Sequence, residues 1–410
     1  MIKISNKRNC CGCEACVQAC PKKCIDFIPD SQGFLYPKVN ESLCVNCGLC
    51  NKVCPVLNVK EHTIPSSTPV YAAYNKNSNQ RSSSSSGGIF SILASDVIKK
   101  NGVVFGALFD KDWKVVHGYA ENNVQIEPLK RSKYVQSRIG NSYKEVKAFL
   151  RQGREVMFVG TPCQVAGLKQ YLQKNYDNLI TVDVICHGVP SPMIWTKYLQ
   201  EKKSEIASLN NGCSDNDIEF TSISFRDKVE SWRRFHLSFT YKVKKDGIDA
   251  IAADSIIGTQ SKYIWEDDYM LSFLKDYANR PSCFDCKFRN GKCRSDITLA
   301  DFWNVKECLD DEEMTGEHGT SLVLVNTSKG EKYFQIDCEK IAVDFRMGTA
   351  GNPALRHDWP EPLGHDSFFV WTKKMSIHES LERAQKLNSK FGKIYNIYQR
   401  VIRKVRKWQK

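Results

Sequence analysis

Apolar residues change their spacing several times along this 410-residue chain, and each change predicts an element. VYAAYN (70–75) is a short strand. RSSSSSGG, from Arg81 to Gly88, is a Ser/Gly loop, and GIFSILASDVIKK after it (88–100) has its apolar residues at helical spacing. VVFGALF (103–109) and WKVVHGY (113–119) predict strands. A βαβ unit follows: EVMFV (155–159) is a strand, GTPC a turn, QVAGLKQYLQK (164–174) a helix and LITVDVI (179–185) a second strand. Parallel strands need such a crossover helix. Residues 218–225 and 235–243 alternate and predict paired strands. Trp265 to Tyr277 has helical spacing, and SLVLVN (321–326) is a further strand. In the tail, Ile394, Ile397, Tyr398, Val401, Ile402, Val405 and Trp408 share one helical face, with basic residues opposite.

The first 58 residues follow neither period. CCGCEACVQACP (Cys10 to Pro21) recurs as CVNCGLCNKVCP (Cys44 to Pro55) at an offset of 34, which suits a small domain of two related halves. Residues 59–69, with two prolines and several Ser/Thr, read as a linker. The expected organisation is a ferredoxin-like domain at 1–58, the linker, a larger mixed α/β domain over 70–345, and a C-terminal extension over 346–410 ending in a helical tail. The fold class is α+β or α/β.

Ten of the 18 cysteines lie in the first 54 residues, which points to metal. Met1 to Asn9 is polar, with no apolar core of a secretory signal, and no apolar run approaches membrane-span length. The expectation is a cytoplasmic protein, where disulfides rarely persist. Formal charge is 59 − 46 = +13, which brings nucleic acid to mind. Eight of the cations fall in the last 21 residues, which hold no Asp or Glu, so the body carries 13 − 8 = +5. Nucleic acid is therefore not expected as a partner. The basic tail helix can lie on an acidic membrane surface, bind an acidic partner or pack on the body.

Cys10-x2-Cys13-x2-Cys16-x3-Cys20-Pro21 and Cys44-x2-Cys47-x2-Cys50-x3-Cys54-Pro55 are two copies of the bacterial ferredoxin run. Three cysteines of each run wrap one [4Fe-4S] cubane, and the fourth ligates the other. One cluster is expected on Cys10, Cys13, Cys16 and Cys54, the second on Cys44, Cys47, Cys50 and Cys20. Paired zinc sites, built from two distant Cys-x2-Cys pairs, are a poor match. Cys11 and Cys24 are left over, as packing in the small core.

Further cysteines lie where strands end. Cys163, in Gly160-Thr161-Pro162-Cys163-Gln164, opens a helix, and Cys186 in VDVICHGVPSP follows the next strand. Ligands of open α/β sheets bind outside the carboxyl ends of strands. With Cys283, Cys286 and Cys293, these thiols could close a third cluster. Ordinary buried cysteines are the equal alternative from spacing alone. The Ser/Gly loop before a helix suits a phosphate, or is simply a flexible serine-rich loop. His187 could be a proton donor, although a lone His is more often structural.

Taken together, SSSSGGIFS, SKYVQS, GTPCQVAGL, VICHGVPSP and SCFDC…DITLADFW resemble the coenzyme F420 hydrogenase/dehydrogenase beta-subunit family, in the branch with an N-terminal dicluster domain. The resemblance covers roughly residues 5–305. It implies a flavoprotein oxidoreductase in which FAD sits beside a third [4Fe-4S] cluster held by Cys163, Cys186, Cys283 and Cys286, with Cys293 as a substitute ligand. It implies flavin contacts from Ser86, Gly87, Gly88, Lys133, Ser137, Thr161 and Asp301, with His187 and Lys133 as candidate catalytic groups. The family's Gly-Asp-Phe-Trp-Gly is Ala300-Asp301-Phe302-Trp303-Asn304 here, two glycines short. The implied partners are a ferredoxin or an associated oxidoreductase and a small-molecule substrate, F420 or another organic compound, including in surface-polysaccharide metabolism. The alternative is a non-catalytic electron-transfer subunit feeding a partner enzyme.

Overall fold

The computed structural model describes residues 1–210, 213–243 and 256–389. Near the N-terminus, strands β1 (Ile25–Pro29) and β2 (Leu35–Val39) pair antiparallel, with Ile25 opposite Val39. Each strand contains a proline and neither alternates cleanly, so the hydrophobic pattern does not predict them. Two short helices, Ala15–Ala19 and Leu49–Lys52, carry the third cysteine of each run. Residues 60–69 form no regular element, yet Ile64 is buried. It lies so close to Gly291 that a Cβ there would fall 2.6 Å from Ile64 Cγ1.

The body is built on an eight-stranded mixed sheet. Its first strands are β3 (Val70–Tyr74), β4 (Val103–Phe109), β5 (Val115–Ala120), β6 (Val156–Gly160) and β7 (Leu179–Val184). Strands β8 (Ile218–Asp227), β9 (His236–Val243) and β10 (Ile256–Tyr263) form a separate antiparallel sheet. Strands β11 (Ile297–Asp301), β12 (Ser321–Val325) and β13 (Glu339–Val343) return to the large sheet, whose order is β13-β3-β12-β11-β7-β6-β4-β5. The four central strands β11, β7, β6 and β4 run parallel, and the edges are antiparallel. Parallel strands are covered on both faces, which is why the first five residues of β7 are all buried.

The expected crossover is present. Helix Pro162–Leu172 joins β6 to β7, opened by a Thr161–Gln164 capping box with Pro162 in its first turn. The helix expected over 265–277 is shorter, Asp268–Leu274, because Asp267 caps it by accepting from Met270 N–H. The Ser/Gly loop is also shorter than expected. Asn77 caps a helix that runs from Ser78 through Ser82, placing buried Arg81 on it.

The three-stranded sheet packs Phe225, Leu237 and Phe239 against Trp195 and Tyr198 of helix Pro192–Leu209, together with Tyr269. Helices His365–Trp371 and 377–389 close the same core with Phe368, Phe369 and Leu381. The basic tail face expected over 394–408 lies outside the described residues. Among the described residues, no helix is long and apolar enough to cross a membrane.

The N-terminal unit is seated on the body. Cys13, Ala15 and Val53 share a core with Val165 and Leu168. The buried Glu14 carboxylate accepts from Arg138 at 2.9 and 3.2 Å and from Ile139 N–H at 3.1 Å. A Cβ on Gly33 would fall 2.3 Å from Met193 Cβ, so backbone and helix meet closely there.

Candidate iron–sulfur and redox-cofactor sites

The repeat seen in the sequence is repeated in the backbone. Gly12 and Glu14 both have positive φ (72° and 59°), and so do Asn46 and Gly48 (50° and 74°), at the same offset of 34. These left-handed residues, one before and one after the middle cysteine of each run, curl the chain around its thiols. Helices then begin at Ala15 and Leu49, again 34 apart.

The curl brings two sets of thiols together. Cys16 lies within electrostatic reach of Cys10 and Cys54, and Cys13 within reach of Cys16 and Cys54. Burial pushes the Cys16 thiol up, and the neighbouring thiolates of Cys10 and Cys54 add to it. Backbone N–H groups of Ala15 donate to Cys13, and those of Val56 and Leu57 to Cys54. The second set, Cys20, Cys44, Cys47 and Cys50, lines one cavity of about 350 Å³. Ile2 N–H donates to Cys50 Sγ at 3.2 Å, and Cys24 N–H to Cys20 Sγ at 3.5 Å. Cys24 sits in the small core and lines this cavity, its Sγ 3.4 Å from Cys20 Sγ. Crowded thiols served by N–H donors fit a cluster better than four neutral cysteines, because cluster sulfurs accept hydrogen bonds and thiolates need compensation.

A third set lies at the carboxyl ends of β6 and β7. Cys163, Cys186, Cys283 and Cys286 line one open cavity of about 760 Å³. Cys186, Cys283 and Cys286 each feel the charge of Cys163. Burial, reinforced by Cys163, pushes Cys186 up to about 12. Burial also raises Cys286 to about 11, against the pull of Arg289. Buried Arg289 donates to the Cys186 and His187 carbonyls at 2.5 and 3.2 Å and pairs with Asp358 at 2.9 Å. Cys293 is elsewhere: buried, off the cavity wall, its thiol donating to Asp183 Oδ2 at 3.2 Å.

Cys11 does not stay in the small core. It lines the same cavity, and its thiol interacts with both Cys13 and Cys163. It therefore stands between the first N-terminal set and the third set. The adjacent cysteine in Cys10-Cys11 was the only sequence signal for this position.

None of the residues read as flavin contacts lines that cavity. Ser86 Oγ donates to Thr320 O at 3.0 Å. Gly87 N–H donates to Ser321 Oγ at 3.1 Å, its carbonyl accepts from Asn75 N–H at 2.7 Å, and a Cβ there would fall 2.4 Å from Ala73 O. Gly88, at φ +82°, opens helix Ile89–Lys99, which has no side-chain cap. The Lys133 ammonium donates to the carbonyls of Pro128, Lys130 and Arg131, and burial, then Arg131, brings it down to about 7. Ser137 is buried between His117 and Gln164, Thr161 caps its helix 3.2 Å from Cys163 Sγ, and Asp301 pairs with buried Arg226 at 2.6 and 3.1 Å. His187 lines the cavity, its Nε2 3.0 Å from Asp276 Oδ1.

Around the Ser/Gly loop the structure gathers cations that sequence reading missed. Lys228 donates to the carbonyls of Arg81, Ser86 and His318, and Arg131 to that of Ser83. Burial, then Arg226 and Arg81, brings Lys228 down to about 7. Such a concentration of positive charge beside an uncapped helix start fits a diphosphate. No motif spacing marks Lys228, which comes from the strand-end turn after β8.

Two clustered sets of thiols at the N-terminus and a mixed α/β body with a third set at its strand ends define an iron–sulfur redox protein. The family model for the C terminus of the coenzyme F420 hydrogenase/dehydrogenase beta subunit matches residues 153–346, and a 4Fe-4S dicluster domain matches residues 9–58. Both matches agree with the resemblance to that beta-subunit family, with a dicluster domain in front, that the motifs carry. Over 64 residues it is 36% identical to an uncharacterized polyferredoxin-like protein of Methanocaldococcus jannaschii, covering 14% of this chain. Over 192 residues it is 25% identical to the coenzyme F420-dependent sulfite reductase of the same organism, covering 46% of this chain. It spans only 38% and 29% of the length of these two relatives. A chain of the F420-reducing [NiFe] hydrogenase complex from Methanosarcina barkeri aligns at a TM-score of 0.41 and 14% identity, over 80% of this chain and 94% of that one.

Proposed function

We propose that the protein is an iron–sulfur flavoprotein oxidoreductase. Cys20, Cys44, Cys47 and Cys50 would hold the cluster that takes electrons from a one-electron donor such as a ferredoxin. Cys10, Cys13, Cys16 and Cys54 would hold the next, and Cys163, Cys186, Cys283 and Cys286 the third, which would serve FAD and an organic substrate, F420 or another two-electron acceptor. The observation that carries this reading is the unbroken run of thiols: Cys13 meets Cys11, Cys11 meets Cys163, and Cys163 lines the third cavity. Entry at the second set is supported by exposed Cys47 and by the exposed Lys22, Val45 and Leu49 on its rim. Bound FAD would convert one-electron steps into a two-electron step. The Ser/Gly loop with Lys228 and Arg131 would hold its diphosphate, Gly88 leaving the helix start open. Residues 1–58 serve as the relay and residues 70–345 as the catalytic body.

A second reading, an electron-transfer subunit without flavin, is favoured by one observation: Lys133, Ser137 and Asp301 all spend their polar atoms on internal partners. Purification without oxygen, followed by flavin analysis and reduction by dithionite-reduced ferredoxin with F420 and NADPH as alternatives, separates the two. The oxidoreductase reading expects about one flavin per chain, bleached by reduced ferredoxin. Cluster-filled protein that never takes up flavin would leave the relay alone.

A further inference from the structure

Arg280 comes from the body, three residues before Cys283, and ends inside the N-terminal unit. It is fully buried. Its Nε donates to Cys10 O at 2.8 Å, Nη1 to Gln136 Oε1 at 3.0 Å, and Nη2 to Leu35 O at 2.9 Å and to Cys10 Sγ at 3.7 Å. The guanidinium lies 4.3 Å from the Tyr36 ring centre and 5.3 Å from that of Phe34. Gly12 leaves it room, since a Cβ there would fall 2.9 Å from Nη1. On the other side, the Arg280 carbonyl accepts from Cys283 N–H at 2.8 Å.

None of these partners is a carboxylate. A guanidinium does not deprotonate in proteins, and a buried, unpaired charge costs several kcal/mol. The ionisable groups that act most strongly on Arg280 are Cys10, Tyr36, Cys11 and Cys283. Three of these four are thiols at the two cysteine cages. The negative charge that balances this cation therefore has to reside on the cages themselves.

We propose that Arg280 is the shared counter-ion of the first N-terminal cluster and the third cluster, a positioning residue that raises the reduction potential at their junction. This rests on the cluster assignment above. Reduction adds one negative charge to a cluster. A fixed buried cation with an N–H aimed at a ligand sulfur favours the reduced state over the oxidised one. Cys10 receives that donor directly, so its cluster is affected most. Cys20, Cys44, Cys47 and Cys50 are not among the groups that act most strongly on Arg280, so the second N-terminal cluster serves as an internal reference.

The test uses the full chain, purified without oxygen, in Arg280→Met and Arg280→Lys forms. Iron per chain is measured first, and the cluster potentials are then read by EPR-monitored redox titration. Arg280→Met is expected to make reduction of the first cluster at least tenfold less favourable, about 59 mV for one electron. The second cluster should stay at its wild-type potential, and Arg280→Lys should recover most of the shift. A Met variant with full iron and an unmoved first cluster overturns the proposal. Should that variant fail to load, Gln136→Glu places a carboxylate on Nη1 without removing the arginine. The same downward shift is expected from it, and an unchanged potential overturns the proposal. Wild-type chain that holds no iron would overturn the cluster assignment itself, and the iron assay distinguishes that failure from the other.

Discussion

At position 117 an imidazole is enclosed by a complete hydrogen-bond chain. Gln164 Nε2 donates to Ser137 Oγ at 2.8 Å, Ser137 Oγ lies 2.8 Å from His117 Nδ1, and His117 Nε2 is 3.1 Å from Val159 O. With Ser137 donating to Nδ1 and Nε2–H donating to the carbonyl, the network is satisfied only by neutral histidine. Burial accordingly lowers His117 to about 4. Its folded value lies below its unfolded one, so the unfolded chain binds the extra proton and stability falls as pH drops from about 6.5 toward 4. The full loss is roughly 3 kcal/mol. Thermal midpoints of wild type and His117→Gln at pH 7.5 and pH 5 should show a steeper acid drop in the wild type, and equal drops would contradict the assignment. Nothing in WKVVHGY signals this partnership, because both partners lie on other segments. The same holds for Lys228 and Arg280. Each is an ordinary basic residue in sequence, and its role comes from contact with segments distant in the chain. The eight cysteines of the two runs were legible because their spacing is itself a geometric signal, and the left-handed residues at 12 and 46, and at 14 and 48, repeat at the same offset.

Among elements, the hydrophobic pattern predicted β3, β4, β5, β6, β7, β12 and the β8–β9 pair. Strands β1, β2 and β13 were not legible. They are short, mostly half-exposed, and two contain proline. The pattern gave no sign of the contact between the N-terminal helix Ala15–Ala19 and the crossover helix Pro162–Leu172, since it depends on small residues. A Cβ on Gly167 would fall 2.9 Å from Cys13 Cβ. Glu14, from its left-handed position, also ties the N-terminal unit to Arg138 and Ile139 of the body. Glu14→Gln keeps the shape but weakens the acceptor, and should cost about 1–3 kcal/mol by leaving Arg138 and Ile139 N–H less well served. Limited proteolysis should release the N-terminal unit faster in the variant, while its iron content stays unchanged. Wild-type cleavage rates would mean that the shared apolar core alone holds the unit in place.

For the whole molecule, the N-terminal unit, its seat on the body and the strand-end cavity form one path for electrons only if all three cages carry clusters. The sequence and the family match speak most strongly for the first two. The third rests on four thiols from three segments facing one cavity, with Cys293 bonded to Asp183 instead. Iron and acid-labile sulfide, counted per chain in wild type and in Cys186→Ala purified without oxygen, address this most directly. The account predicts about twelve irons in the wild type and about eight in the variant, four per cluster, with no zinc. About eight irons in both chains, or zinc in place of iron, would contradict it.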